Sequence, residues 1–217
     1  MEGTRIVLVR HGESRAQEDG IVGGHDGCTG LSDRGREQAE ALRTRLERTG
    51  ELAEVSAIYT SVMPRAIETA EIIAPAVNVV DVLKRCDFCE HHPGEGDGLT
   101  WRDYESRYPS HKGPWDPDLR RAPGAETWNE MHARVSHALD GLVESHPGEL
   151  VVVVCHGGVI VQSMAKWFGL NPANENRAWL NPKNTSLTEW RFGTSPFGVG
   201  TLPVEMVRFN DFSHLLT

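Results

Sequence analysis

Basic charge is in short supply along these 217 residues: 22 Lys and Arg stand against 31 Asp and Glu, a formal net charge of −9. Such a chain lacks the basic surface that a nucleic-acid binder or an anionic-membrane binder needs, so neither partner is expected. Long apolar runs are missing too. The longest, Leu150 to Cys155, falls far short of the roughly 20 residues that cross a bilayer as a helix. No apolar leader precedes the first strand, which reads as a cytoplasmic chain. Cysteine is sparse, at 28, 86, 89 and 155, and excludes a disulfide scaffold. Repeats and low-complexity tracts are absent, which excludes solenoids and disorder. With 39% hydrophobic and 24% charged residues, the composition is that of a globular protein, read here as a single domain over residues 1–217.

The order of the elements gives the fold class. Arg5 to Val9 is a short apolar run of the kind found in buried parallel strands. Ser32 is placed to cap a helix with Ala39, Leu42 and Leu46 on one face. A strand over Val55 to Thr60 follows, then a helix opened by Pro64, then a strand over Asn78 to Leu83. Residues 91–125 are rich in Pro, Gly, Trp, Tyr and His and read as an irregular lid that sets specificity, with one helical stretch around Trp101 to Tyr108. A long helix carrying Trp128, Met131, Val135, Leu139 and Leu142 on its apolar stripe begins after Pro123 and Gly124 and leads to a β-branched strand, Leu150 to Val154. His132 and His137 fall off that stripe and read as solvent-exposed. A helix over Val159 to Phe168 and an antiparallel pair, Ser186 to Phe192 and Val204 to Phe209, complete the chain. Strand alternating with helix predicts an α/β fold, a three-layer α/β/α sandwich with a mostly parallel sheet.

Residues with chemistry sit where these strands end. Arg10-His11 follows the first strand, Arg65 opens the helix after the second, Glu90 lies beyond the third, and His156 with Gly157 and Gly158 follows the β-branched one. In an open parallel sheet all four places lie along the carboxyl edge, where ligands bind. Two imidazoles, two guanidiniums and a carboxyl group suit a phosphomonoester. Guanidinium forks match phosphate oxygens, and glycines at a helix start leave backbone N–H groups aimed at an anion. A neutral imidazole among cations can attack phosphorus, while a carboxyl group protonates the leaving oxygen and then deprotonates water. No metal and no cofactor enter that scheme. The expected substrate is a small phosphorylated metabolite, with inorganic phosphate as the expected product.

Arg10-His11-Gly12-Glu13, the block from Leu31 to Ala39, Thr60 to Ala66 with Thr69-Ala70, and Cys155-His156-Gly157-Gly158 together resemble the histidine phosphatase superfamily, also called the phosphoglycerate mutase-like family, from about residue 5 to about residue 192. The resemblance implies that His11 becomes a phosphohistidine, that Arg10, Arg65 and His156 bind the phosphoryl group, and that Glu90, followed by Gly94 and Gly98, donates the proton. Gln17 and Gly24 stand at that family's phosphate-side positions, and Gly157 at the helix start and His91 in the lid are read as further substrate contacts. Gln17 stands where many members carry Asn, and Gly23 where a hydroxyl residue is common. Pro93 and Trp101 replace the Tyr and Lys of the cofactor-dependent mutases, and Arg120-Arg121 lies in a short segment, so a phosphatase is favoured over a mutase or a binding protein that has lost turnover.

Other residues receive plainer readings. Glu95 and Asp97 are neighbours able to replace Glu90 as the acid, and Glu13 is structural. His25, His92 and Trp101 are placed at the pocket, while Trp115 and Trp128 are packing residues beneath the lid. Cys86-x-x-Cys89 precedes His91-His92, but no second Cys-x-x-Cys or His pair stands at finger spacing, so no metal is expected there. Cys86 reads as buried, and Cys89 and Cys155, each preceding a candidate catalytic residue, as a redox-sensitive pair. The C-terminal strands offer a sheet edge for a homodimer.

Overall fold

The computed structural model describes residues 3–108, 115–171, 180–193 and 204–216. Its framework is one six-stranded sheet in the order β3-β2-β4-β1-β5-β6. β1 (Arg5–Arg10), β2 (Val55–Thr60), β3 (Val82–Lys84) and β4 (Leu150–Cys155) run parallel, β5 (Leu187–Phe192) is antiparallel to its neighbour β1, and β6 (Val204–Asp211) is antiparallel to β5. The two innermost strands are the most apolar, as they must be where helices cover both faces. Alternation sends Ile6 and Leu8 of β1, with Val151 and Val153 of β4, to one core, and Val7 and Val9, with Val152 and Val154, to the other. Each of these side chains is essentially fully buried, a gain of about 1.5–3 kcal/mol apiece before entropy is subtracted.

The helices are α1 (Arg15–Glu18), α2 (Asp33–Thr49), α3 (Pro64–Ile73), α4 (Trp101–Arg107), α5 (Trp128–Ser145) and α6 (Gly157–Phe168). α2 and α3 fill the second core with Leu42, Leu46, Ala66, Ala70 and Ile73; α5 and α6 fill the first with Met131, Val135, Leu139, Val159 and Ile160. Ser32 caps α2 as expected, accepting from the Gly35 amide at 3.0 Å. α5 starts at Trp128 because Thr127 and Glu130 close a capping box. His137 is exposed, but His132 is half-buried and its Nδ1 lies 2.6 Å from Gln162 Oε1. The third strand is shorter than its sequence suggested. Ala74–Val77 turns as a 3-10 helix ending in left-handed Asn78, so only Val82–Lys84 reaches the sheet. Residues 109–114 of the lid and 194–203, the expected Gly/Pro loop before β6, lie outside the described residues.

The end of α2 is tied to β6 by charge. Arg45 pairs with Glu51 and with Asp211, and Arg208 joins both Glu51 and Asp211. The Arg45 hydrogen bond holds the Asp211 carboxyl well below its usual range. Burial pulls Glu51 up, but bonds from Arg45 and Arg208 more than offset it. Desolvation, helped by Arg45, pushes His214 down to about 4. Both effects carry the same sign. His214 must fold neutral, so the unfolded chain takes up its proton first and stability falls as pH drops from about 6.5 toward 4. The depressed carboxylates add stability above their unfolded range and lose it as pH falls further. Thermal melts should therefore show a midpoint that declines steadily below neutrality. Asp211→Asn should be less stable than the native chain by about 1 kcal/mol at pH 7, the pair being solvent-screened, and the gap should close in acid. A constant gap would remove the charge network from the account.

Candidate active site

Register explains why two distant histidines meet. Arg10 of β1 pairs with Cys155 of β4 at the ends of adjacent parallel strands, so the next residues, His11 and His156, emerge side by side with ring centroids 5.0 Å apart. β2 ends on the other flank of β4, and Ser61 follows it, its amide bonded to the Val154 carbonyl at 3.2 Å. Arg65 arrives on the first turn of α3 and is buried, at 4% exposure, with His11 at 4% and His156 at 0%.

Hydrogen bonds fix the tautomer of each ring. His11 Nδ1 lies 2.5 Å from the Gly12 carbonyl, which can only accept, so Nδ1 carries the proton and Nε2 keeps its lone pair. Arg65 Nε donates to that lone pair at 3.1 Å. For His156 the fixed partner is Ser61. Its buried hydroxyl accepts from the Met63 amide at 3.2 Å and stands 2.7 Å from His156 Nε2. Donating its one proton to Nε2 satisfies the hydroxyl and leaves the proton of the ring on Nδ1. That Nδ1 is buried without a protein partner, and so is Arg10 Nε. Desolvation, reinforced by Arg65 and Arg10, drives both imidazoles well below the ordinary histidine range. His11 thus offers a lone pair and His156 an N–H, both neutral at physiological pH.

The loop holding His11 is braced on every side. Gly12 N donates to Thr69 Oγ1 at 3.0 Å, and that hydroxyl donates to the Arg65 carbonyl at 2.8 Å, so the His11 loop and the cation share one anchor. α2 begins directly against the loop: a Cβ on Gly35 would lie 1.9 Å from the Glu13 carbonyl oxygen, so only glycine permits the approach. Glu13 accepts from the Ser32 hydroxyl at 3.0 Å, the structural place expected for it. Two residues not singled out by sequence pin the far side. Asn184 Nδ2 donates to the His11 carbonyl at 2.9 Å, and Thr185, held at φ 58° despite its branched Cβ, donates its amide to the Arg10 carbonyl at 2.8 Å. The only sequence cue is their position just before β5, the neighbour of β1.

Glu90 enters from the loop after β3. Its carboxylate accepts from Gly158 N, in the first turn of α6, at 3.0 Å and from His91 N at 3.1 Å. Together with Arg10, Gly24, His91, Gly157 and Gly158 it lines a cavity of about 630 Å³; His11, His156 and Arg65 are not in that wall. The rivals for the acid are occupied elsewhere. Asp97 accepts from the amides of Gly24, Asp26 and Gly27, and exposed Glu95 meets Tyr108.

Several expectations are corrected here. The Gln17 amide oxygen closes the cap of α1 by accepting from Ser14 N at 3.1 Å, which leaves any contact to phosphate to its amide nitrogen. The Gly24 amide is already bound to Asp97, and the His91 ring nitrogen faces the Glu126 carbonyl at 2.6 Å, so both shape the wall without a free donor of that kind. Trp128 packs against the first core, as expected, and meets Trp115 edge-on, and both also line the cavity, as Trp101 does; His25 and His92 are not in its wall. Arg120 turns to Glu130 while Arg121 faces the cavity, so the arginine pair is split. Cys86 is exposed, and Cys89 packs with Cys28 and Met63 in a small cluster separate from the core that holds Cys155.

An α/β sheet that brings a ring presenting a lone pair, a ring presenting an N–H and two arginines to its carboxyl edge has the make-up of a phosphoryl-transfer class of protein. The chain belongs to the histidine phosphatase superfamily (branch 1), whose family model matches residues 6–202. It is 34% identical over 162 residues to a metal-independent phosphoserine phosphatase of Arabidopsis thaliana, a match covering 73% of this chain and 66% of that protein. It is also 34% identical over 158 residues to phosphoglycerate mutase-like protein 4 of the same plant, covering 71% and 67% respectively. Among solved structures, a mycobacterial glucosyl-3-phosphoglycerate phosphatase in complex with VO3 superposes with a TM-score of 0.77 at 25% identity, covering 95% of this chain and 98% of that one.

Proposed function

We propose that the protein hydrolyses a small phosphomonoester through a phosphohistidine at His11. The observation that carries the reading is the pair of buried, unpartnered donors, Arg10 Nε and His156 Nδ1, gathered with Arg65 around the one imidazole whose lone pair is presented. A phosphoryl group supplies the acceptors those donors lack. Arg65 then exchanges His11 Nε2 for a phosphate oxygen, which frees the lone pair for in-line attack on phosphorus. The P–O bond to the leaving group breaks, and the Glu90 carboxyl group gives that oxygen its proton. Water then loses a proton to the Glu90 carboxylate and attacks the phosphohistidine, releasing inorganic phosphate and restoring both groups. Metal takes no part in this chemistry.

Trp101, Tyr104, Trp115, Leu119 and Trp128 give the cavity an apolar, largely aromatic wall, which favours a bulky or ring-bearing leaving group. The names of the relatives, a phosphoserine phosphatase and a glucosyl-3-phosphoglycerate phosphatase, point to the same class of small phosphorylated metabolites. We assign residues 1–217 to a single domain and the chain to the cytoplasm, in keeping with four free cysteines. β6, the last strand of the sheet, is the edge through which a homodimer would form. Rapid quench of the protein with an aryl phosphate labelled at phosphorus should trap one labelled group per chain, labile in acid and stable in alkali. An acid-stable label, or none during turnover, would rule the intermediate out.

A further inference from the structure

Beside the active site, the fold gathers four metal-ligating side chains that the phosphoryl chemistry leaves unused. His25 comes from the loop after α1, and Cys86, Cys89 and His92 from the loop after β3; one ligand atom of each lies within 4.8 Å of every other. Cys86 Sγ is 3.5 Å from His25 Nε2 and 3.8 Å from His92 Nε2, and Cys89 Sγ is 3.7 Å from His25 Nε2. A tetrahedral zinc with Zn–S of about 2.3 Å and Zn–N of about 2.0–2.1 Å requires S···N edges of about 3.6 Å. The three separations fall around that value. We propose that His25, Cys86, Cys89 and His92 form a structural Zn²⁺ site.

The local backbone is built for such a site. Cys86–Phe88 forms a 3-10 turn closed by Cys89 N to the Cys86 carbonyl at 2.9 Å, which brings both sulfurs of the Cys-x-x-Cys to one side. Each ligand loop is held from behind by its own network. Arg134 donates to the carbonyls of Asp87 at 2.8 Å and Cys89 at 3.1 Å while paired with Glu126. Asp97 clasps the amides flanking His25. Positions are thus set before metal arrives. Two thiolates and two imidazoles select zinc over magnesium or calcium, and two thiolates neutralise its charge. Binding forms two Zn–S and two Zn–N bonds and releases two thiol protons to solvent. His25 and Cys86 are exposed, so the ion has a path in; Cys89 is buried and His92 half-buried.

The site also has a consequence for the neighbouring cavity. Gly24 precedes His25, and Glu90 follows Cys89, so one ion would clamp the cavity-wall loop to the loop that bears the proposed acid. Its role is positioning, with no contact to substrate. The sequence showed Cys86-x-x-Cys89 ahead of His91-His92 but led to no metal there, because the fourth ligand, His25, lies 61 residues from Cys86 and at no finger spacing.

The test uses the full chain without an affinity tag, purified under a non-thiol reductant. Metal analysis should find about one zinc per chain, the stoichiometry of one four-ligand site. After chelator stripping, Co²⁺ should titrate to the same stoichiometry with a thiolate-to-cobalt charge-transfer band and the intense visible bands of a tetrahedral centre. Cys86→Ser and His25→Ala should each weaken Co²⁺ and Zn²⁺ binding by more than about 100-fold, beyond the 10–100-fold typical of outer-shell changes, and Cys28→Ser should not. Weak octahedral cobalt bands, binding indifferent to Cys86→Ser, or a Cys86–Cys89 disulfide found by intact mass under reductant would each overturn the site. Should a variant fail to fold, the cobalt spectrum of the native chain still decides. None of these readouts depends on turnover, so failure here leaves the phosphatase reading standing, and the reverse holds too.

Discussion

His11→Ala should lose at least about 10⁴-fold in kcat, the scale on which removal of a covalent nucleophile is felt, with little loss of phosphate binding. The asymmetry follows from where each contact is made. His11 contributes a lone pair that acts only when phosphorus is attacked, whereas Arg10 Nε, His156 Nδ1 and the Arg65 guanidinium hold the phosphoryl oxygens before and during attack. An interaction made only in the transition state moves kcat and leaves KM nearly alone. Structure should survive the change, since the backbone bonds of residue 11 to the Cys155 carbonyl and from Asn184 do not need the ring. What is lost is the Arg65 Nε partner, a cost of about 1–3 kcal/mol. Calorimetric titration of inorganic phosphate, set beside steady-state phosphate release, separates the two effects. Activity within tenfold of the native rate would transfer the nucleophile to another group; loss of phosphate binding in step with kcat would make His11 a binding residue.

How much of this was legible beforehand depends on whether the information is local. The β-branched runs at Ile6–Val9 and Leu150–Val154 define parallel strands buried on both faces, and the residues that follow them then have to share an edge. That is why Arg10, His11 and His156 were found from sequence with no contact known. Residues whose task is settled by a neighbour elsewhere in the chain were misread. Gln17, read as a phosphate ligand, spends its amide oxygen on capping α1 through Ser14, a bond that residue type and position alone do not announce. Trp128 packs against the core as its helical stripe predicts, but its second task, meeting Trp115 edge-on in the cavity wall with ring centroids 5.9 Å apart, is not in the stripe. Cys86 and Cys89 lacked a fourth ligand on paper because His25 is delivered by a loop that Asp97 folds over them. Asn184 and Thr185 carried no motif at all; their importance is that β5 lies antiparallel beside β1, so the turn into it falls on the His11 backbone.

Gly158→Ala should disable the acid without touching the nucleophile. A Cβ at this position would stand 2.0 Å from Glu90 Oε1 and 2.8 Å from Met131 Cε. The buried Met131 methyl can shift by the few tenths of an ångström needed, but the 2.0 Å approach to Oε1 cannot be absorbed that way, so the carboxylate must leave its seat over the start of α6. The expected loss is about 10²–10⁴-fold in kcat, the range of general acid–base catalysis, approaching that of Glu90→Gln. In the double variant the second change should add almost nothing, because both remove one function. Gly157→Ala is the control one residue away: its Cβ would sit 3.7 Å from Arg10 Nε, an ordinary contact, and activity should change little. Leaving-group dependence then distinguishes a displaced acid from a blocked cavity. A nitrophenolate departs without a proton and an alkoxide does not, so Gly158→Ala should spare nitrophenyl phosphate far more than an alkyl phosphate. Equal losses on both would mean that the added methyl obstructs substrate, and the proton donor would have to be sought elsewhere in the wall.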